Sequence, residues 1–150
     1  MTVAHRQLLD LIEADLLAAT PTPVAGGNVQ RQRNRPLPAA QAQQVSLYLV
    51  RSRGRQAMLG GSTPIEWHTA IGVECIARAA AGVMPDEAVA DLLADVHARI
   101  TGSAALFAAS YRIHPEYDLQ WDDDTLDERI GACTAVYTVR HFGALASLSV

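Results

Sequence analysis

The chain has 150 residues, 49% of them hydrophobic, and a formal net charge of −4. A chain of that length forms one domain, residues 1–150, and buries roughly 70% of the surface it exposes when unfolded, so it needs neither disulfide nor metal to fold. The acidic balance argues against a general nucleic-acid-binding domain. No uncharged apolar stretch approaches the ~20 residues that span a bilayer, and Asp10, Glu13 and Asp15 inside the first apolar run argue against a signal peptide.

Leu8, Leu9, Ile12 and Leu16 recur at helical spacing while Arg6, Gln7, Asp10 and Glu13 fall elsewhere on the wheel, which predicts a first amphipathic helix capped by Thr2. It stops before Thr20-Pro21-Thr22-Pro23, because proline disfavours helix in the residue preceding it. After the Gly26-Gly27 turn, Asn28 to Arg35 is polar on both faces and reads as an exposed edge strand ended by Pro36 and Pro38. Gln44 to Arg51 alternates as a strand. A flexible, arginine-bearing loop is expected from Arg51 to Pro64. Ile65 to Arg78 is a second long strand, with Ile65, Trp67, Thr69, Ile71, Val73 and Cys75 on one face and Glu66, His68 and Glu74 on a wetter one.

Pro85 opens a second helix with Asp86 and Glu87 in its first turn, a stripe of Val89, Leu92, Leu93, Val96 and Ile100, and Gly102 as its C-terminal cap. Ala104 to Ala109 suits a further helical turn. Tyr111 to Trp121 reads as a loop and a short strand. Asp122-Asp123-Asp124 reads as an exposed turn, since adjacent carboxylates repel and prefer water. The β-branched and aromatic run from Arg129 to Arg140 is a last long strand, and the small, apolar tail after Phe142 suits either a disordered end or a segment docked on a partner. The fold class is α+β: a mostly antiparallel sheet with two main helices packed on one face.

Enzyme signatures are missing. There is no GxSxG, P-loop or GxGxxG, and His5, His68, His97, His114 and His141 have no helical ligand spacing. Cys75 and Cys133 lack a CxxC spacing, which fits neither a zinc site nor a secreted disulfide scaffold. Glu66, His68 and Glu74 on one strand face are the nearest approach to a catalytic group. Asp122 to Asp124 could offer carboxylates to Mg²⁺, although consecutive residues rarely converge on one ion. No other cofactor is indicated.

All twelve basic residues are arginine, a bias that a GC-rich genome also produces. Six of them form two stripes of period two, Arg31/Arg33/Arg35 and Arg51/Arg53/Arg55. Such stripes suit a subunit interface or the lining of a channel for DNA as well as solvated edges. No aromatic residues interleave for base stacking, so sequence recognition is not expected. Asp122, Asp123 and Asp124 are natural partners for a neighbour's arginines.

The layout of the whole chain resembles the lambda-type phage tail terminator family, also called minor tail protein U. The likeness rests on the first helix, the Val45-Ser46-Leu47-Tyr48-Leu49 strand, the loop and the strand from Ile65 to Glu74. It continues through the helix from Pro85 to Ile100, the Asp122 to Asp124 turn and the closing Ala135-Val136-Tyr137-Thr138-Val139 strand. The resemblance implies a non-enzymatic virion protein, from a phage or prophage, that works at the tail after assembly in the host cytoplasm. It would form a hexameric ring that caps the tail tube, stops its polymerisation and offers a head-attachment surface. Its partners would then be its own copies, the tail tube protein, a head-completion or connector protein, and DNA crossing the lumen unread, with no membrane. The long loop, here Arg51 to Pro64, would order on assembly. The alternatives are a head–tail connector or neck ring of similar fold, a small enzyme built on Glu66, His68 and Glu74, and a monomeric adaptor using Ala144 to Val150.

Overall fold

The computed structural model describes residues 4–18, 23–32, 36–56, 64–123 and 129–143. The expected α+β class holds. Helix α1 (Ala4–Ala18) is followed by a short strand β1 (Val29–Gln30), long strands β2 (Gln43–Gln56) and β3 (Ile65–Arg78), and helix α2 (Pro85–Thr101). A five-residue helix α3 (Ala104–Ala108) leads to β4 (Arg112–Asp123) and β5 (Ile130–Gly143). The strands form one sheet in the order β1-β2-β3-β5-β4, antiparallel throughout except for the β1–β2 pair. No helix among the described residues is long and apolar enough to cross a membrane.

The helices pack on one face of this sheet because only one parity of the strands is apolar. Directly opposed residues of an antiparallel pair share a face, and the register places Val45, Cys75 and Cys133 in one row and Leu47, Val73 and Ala135 in the next. These side chains are buried against Leu8, Ile12 and Leu16 of α1 and Val89, Leu92 and Val96 of α2. The periodic stripes read in both helices are therefore the buried ones. β5 alternates buried and wet residues along nearly its whole length, so its second face looks away from the helices.

Two backbone details shape the ends of this core. Ser110 adopts a left-handed φ of 66° after α3. There the Tyr111 amide donates to the Leu106 carbonyl, closing the helix and turning the Tyr111 ring inward. On the helix-free face, the Tyr48 ring lies flat over Gly72: a Cβ at that glycine would come within 2.3 Å of Tyr48 Cζ.

Four expectations need correction. The edge strand expected over Asn28 to Arg35 is two residues long, and it pairs in parallel through Val29↔Val45 and Gln30↔Ser46. Arg31, expected on an exposed stripe, turns back to α1 and donates to Glu13 at 3.0 Å and Asp10 at 3.1 Å. The segment Arg51 to Gln56, read as loop, is the second half of β2: after a register shift between Leu49 and Arg51 it pairs with β3 as far as Gln56↔Ile65. Finally, β4 begins at Arg112 and runs through Asp122 and Asp123, which pair with Ala132 and Gly131. The strand continues because the hairpin ladder extends to that point, and the outer position leaves Asp122 in water. Thr2, Arg33, Arg35, Asp124, residues 57–63 of the expected loop and the tail from Ala144 to Val150 lie outside the described residues.

Adding a methyl at residue 72 should be felt across the sheet. Gly72→Ala is expected to cost about 1–3 kcal/mol, the usual range for overpacking, by lifting the Tyr48 ring. In a Tyr48→Ala background the same change should cost much less, as read by urea denaturation of all four proteins.

Candidate functional site

The helix-free face gathers charge at one end. The register aligns Arg53 with His68, His68 with Arg140 and Arg140 with Arg112, a basic row across four strands. The neighbouring row is Arg51, Ala70, Thr138 and His114. Arg51, Arg53 and Arg140 are exposed. Arg112 is held at the corner, its guanidinium 4.1 Å above the Phe107 ring and donating to the Phe107 carbonyl at 3.0 Å.

Arg55 is in a different situation from Arg51 and Arg53. It donates to Glu66 Oε1 at 3.1 Å, and His68 Nε2 lies 2.6 Å from the same oxygen. The hydrogen bond from His68, helped by the Arg55 charge, holds the Glu66 carboxyl below its ordinary range. The positive surface left for an outside partner is thus centred on Arg51, Arg53 and Arg140.

Carboxylates follow along β4, the first of them beside the Arg51 row and the last, Asp122, at the far end. Glu116 accepts from the Thr138 hydroxyl at 2.8 Å, while Asp118 and Asp122 are exposed. Asp122 shares its row with Ala132 and Ile76. Of the residues expected to act together, the structure brings Arg51 and Arg53 onto one face and places Asp122 at the opposite end of that face. Arg31 belongs to the α1 contact and is removed from the basic surface. The side chains of Asp123, Asp124, Arg33 and Arg35 lie outside the described residues. Arg140 and Arg112 completed the basic row without having been singled out. Each stands alone in its own strand, and only the register shows them level with Arg53.

The structure divides the three residues weighed as an enzyme site. Glu66 and His68 are in contact, but Glu74 sits eight positions along β3, about 26 Å away at the usual strand rise, and is buried. No group of three His, Cys, Asp or Glu side chains among the described residues is placed to hold a metal. The two thiols face each other across β3 and β5 through the Cys75↔Cys133 pair. Both are buried and free, and burial pushes the Cys133 thiol up to about 11 and Cys75 higher still, so neither is a nucleophile near neutral pH.

Two further features lie on the helix side. An apolar cavity of about 490 Å³ opens between α2 and β4, lined by Leu93, His97, Leu119, Trp121 and Tyr137, with His97 Nδ1 2.8 Å from the Tyr137 hydroxyl. At the other end, a polar and aromatic cluster sits under the start of α1. Thr69 Oγ1 lies 2.9 Å from Ser52 Oγ and 2.8 Å from His141 Nε2. The His5 ring meets Trp67 and His141 edge-on, and the Tyr111 hydroxyl donates to the Ala4 carbonyl at 2.7 Å. His5 Nε2, Trp67 Nε1 and His141 Nδ1 are buried with no hydrogen-bond partner among the described residues.

No family model and no curated protein matches the chain.

The cluster under α1 makes stability depend on pH. Burial, reinforced by the nearby His5 and His68, pushes His141 from 6.5 down to about 4, and burial lowers His5 as well. Below pH 6.5 the unfolded chain therefore binds protons that the folded one refuses, so stability falls as pH drops from 6.5 towards 4. The His141 share is about 2 kcal/mol at pH 5. His141→Gln, which can keep a bond to Thr69, should flatten the fall in chemical-denaturation midpoint between pH 7 and pH 5. An unchanged slope would show that His141 protonates freely in the folded protein.

Proposed function

We propose that this chain is a ring-forming structural subunit of the phage tail terminator type. In this reading it caps the tail tube, stops its polymerisation and offers a surface to the head-completion protein, while DNA passes through the lumen without sequence recognition. The observation that carries the reading is the separation of charge along the sheet: Arg51, Arg53 and Arg140 at one end of the helix-free face and Asp122 at its other end, with the exposed Asp118 on β4 between them. A surface with both signs at opposite ends complements a copy of itself. A contact of that kind is heterologous, and it closes into a ring when the rotation between copies allows. The order of helices and strands agrees with the layout read in the sequence.

The reading predicts an assembled species near six chains of 16.1 kDa in light scattering at low salt and high protein concentration. Because exposed charges are screened over ~10 Å at 0.1 M salt, raising the salt should shift that species towards monomer. A strict monomer or a two-fold dimer at every salt and concentration overturns the ring.

A further inference from the structure

We propose, resting on that ring reading, that neighbouring copies join edge to edge, the outer edge of β4 adding to the outer edge of β2 in a staggered antiparallel register that makes one continuous sheet around the ring. Both edges are available. β4 is the last strand of the sheet, and along β2 from Leu49 to Arg55 no strand lies alongside among the described residues. Each edge also leaves large apolar side chains about half in water: Leu49 (45%) and Val50 (50%) on β2, Leu119 (42%) and Trp121 (48%) on β4. An open strand edge carrying exposed apolar groups is a template for another strand.

Two independent features exclude a flush alignment, in which the next copy simply continues the rows of the first. Such an alignment would carry the neighbour's Trp121 to the level of Val45, where β1 already occupies the edge through Val29↔Val45. It would also set Arg53 beside the neighbour's Arg112, because the two share one row. Like charges directly opposed across a strand pair are destabilising.

Sliding the neighbour along β2 removes both conflicts. Arg53 is level with His68 and Gln120 with Glu74, six positions apart on β3, which is a slide of about 20 Å. That slide places Arg51 and Arg53 among the neighbour's Asp118, Gln120 and Asp122. Arg51, Arg53, Gln120 and Asp122 all project from the helix-free face, so the opposite charges meet on one side of the joined sheet. β1 is left undisturbed below. The geometry also suits closure. From one copy's β2 to the next, the sheet advances four strand spacings, about 19 Å. A 20 Å slide over that width tilts the strands about 45° from the ring axis, at the upper end of the 35–45° typical of closed barrels.

Charge exchange tests this directly. Arg51→Glu/Arg53→Glu makes both edges acidic, and Asp118→Arg/Asp122→Arg makes both basic. Each variant alone should lose the assembled species in light scattering at low salt. Mixed one to one, they should regain it, since each then meets an edge of opposite charge, and that recovery also shows that both variants fold. Asp91→Arg, a charge reversal at an exposed position of α2 outside both edges, serves as the control and should assemble as the parent does. If the two edge variants assemble alone as well as the parent, or if mixing them fails to restore assembly, edge pairing is overturned while a ring built through another surface stands. If the parent chain itself never assembles, the ring reading fails as well.

Discussion

β3 is the constraint on which the molecule depends. It is paired along its full length on both sides, with β2 from Gln43 to Gln56 and with β5 from Ile130 to Gly143. Because the side-chain period of a strand is two, the register against β3 decides the facing of the residues in three strands at once, and the shift between Leu49 and Arg51 turns Arg51 and Arg53 to the helix-free face. A slip of one position would carry Val73, Cys75 and their partners out of the core and bring Glu74 and His68 in. The register thereby fixes more than the core. It is also what sets Arg53, His68, Arg140 and Arg112 in one line, so the charged surface is a by-product of the packed one.

The second consequence is one-sidedness. α1 and α2 cover a single face, and α1 is secured along its second half. Arg31 ties the end of β1 to Asp10 and Glu13, and Arg99 and Ser103 reach Asp15. Nothing comparable among the described residues covers the upper part of the second face. There the sheet relies on Tyr48 lying over Gly72 and on the Arg55–Glu66–His68 group, whose partly screened charges add little stability on their own. A face so lightly covered costs little to bury later against a partner.

Much of the architecture was legible in the chain because its strongest signals are periodic. α1, α2 and β3 appear where the apolar spacing puts them, down to Pro85 at the start of α2 and Gly102 at its end. Failures fell where local composition opposed tertiary pairing. Arg51-Ser52-Arg53-Gly54-Arg55 has the look of a loop, yet β3 offers it a complete ladder, and the Gly54 position is filled from across by Trp67. Three carboxylates suggested a turn, but the β4–β5 ladder runs through the first two. Arg31 looked free because Asp10 and Glu13 lie about twenty residues earlier, on another element. The basic row was half visible: period two announced Arg51 and Arg53, while Arg140 and Arg112 become neighbours only once the strand order is known.

Open edges ordinarily have to be defended, and charge is a common defence. A row of arginines on β2 repels a basic strand that drifts alongside and resists burial under an apolar one, and a bulge with Pro115 roughens β4. The same charges acquire a second use once the opposite edge is acidic. Repulsion between Arg53 and Arg112, together with the presence of β1 beside Val45, forbids the flush pairing that would otherwise be easiest. Attraction between the arginines and Asp122 favours one staggered alternative. Specificity of this kind is a difference between two pairings, obtained as much by penalising the wrong one as by stabilising the right one. In that proposal the stagger sets the tilt of the strands, while closure into a ring depends in addition on the rotation between one copy and the next.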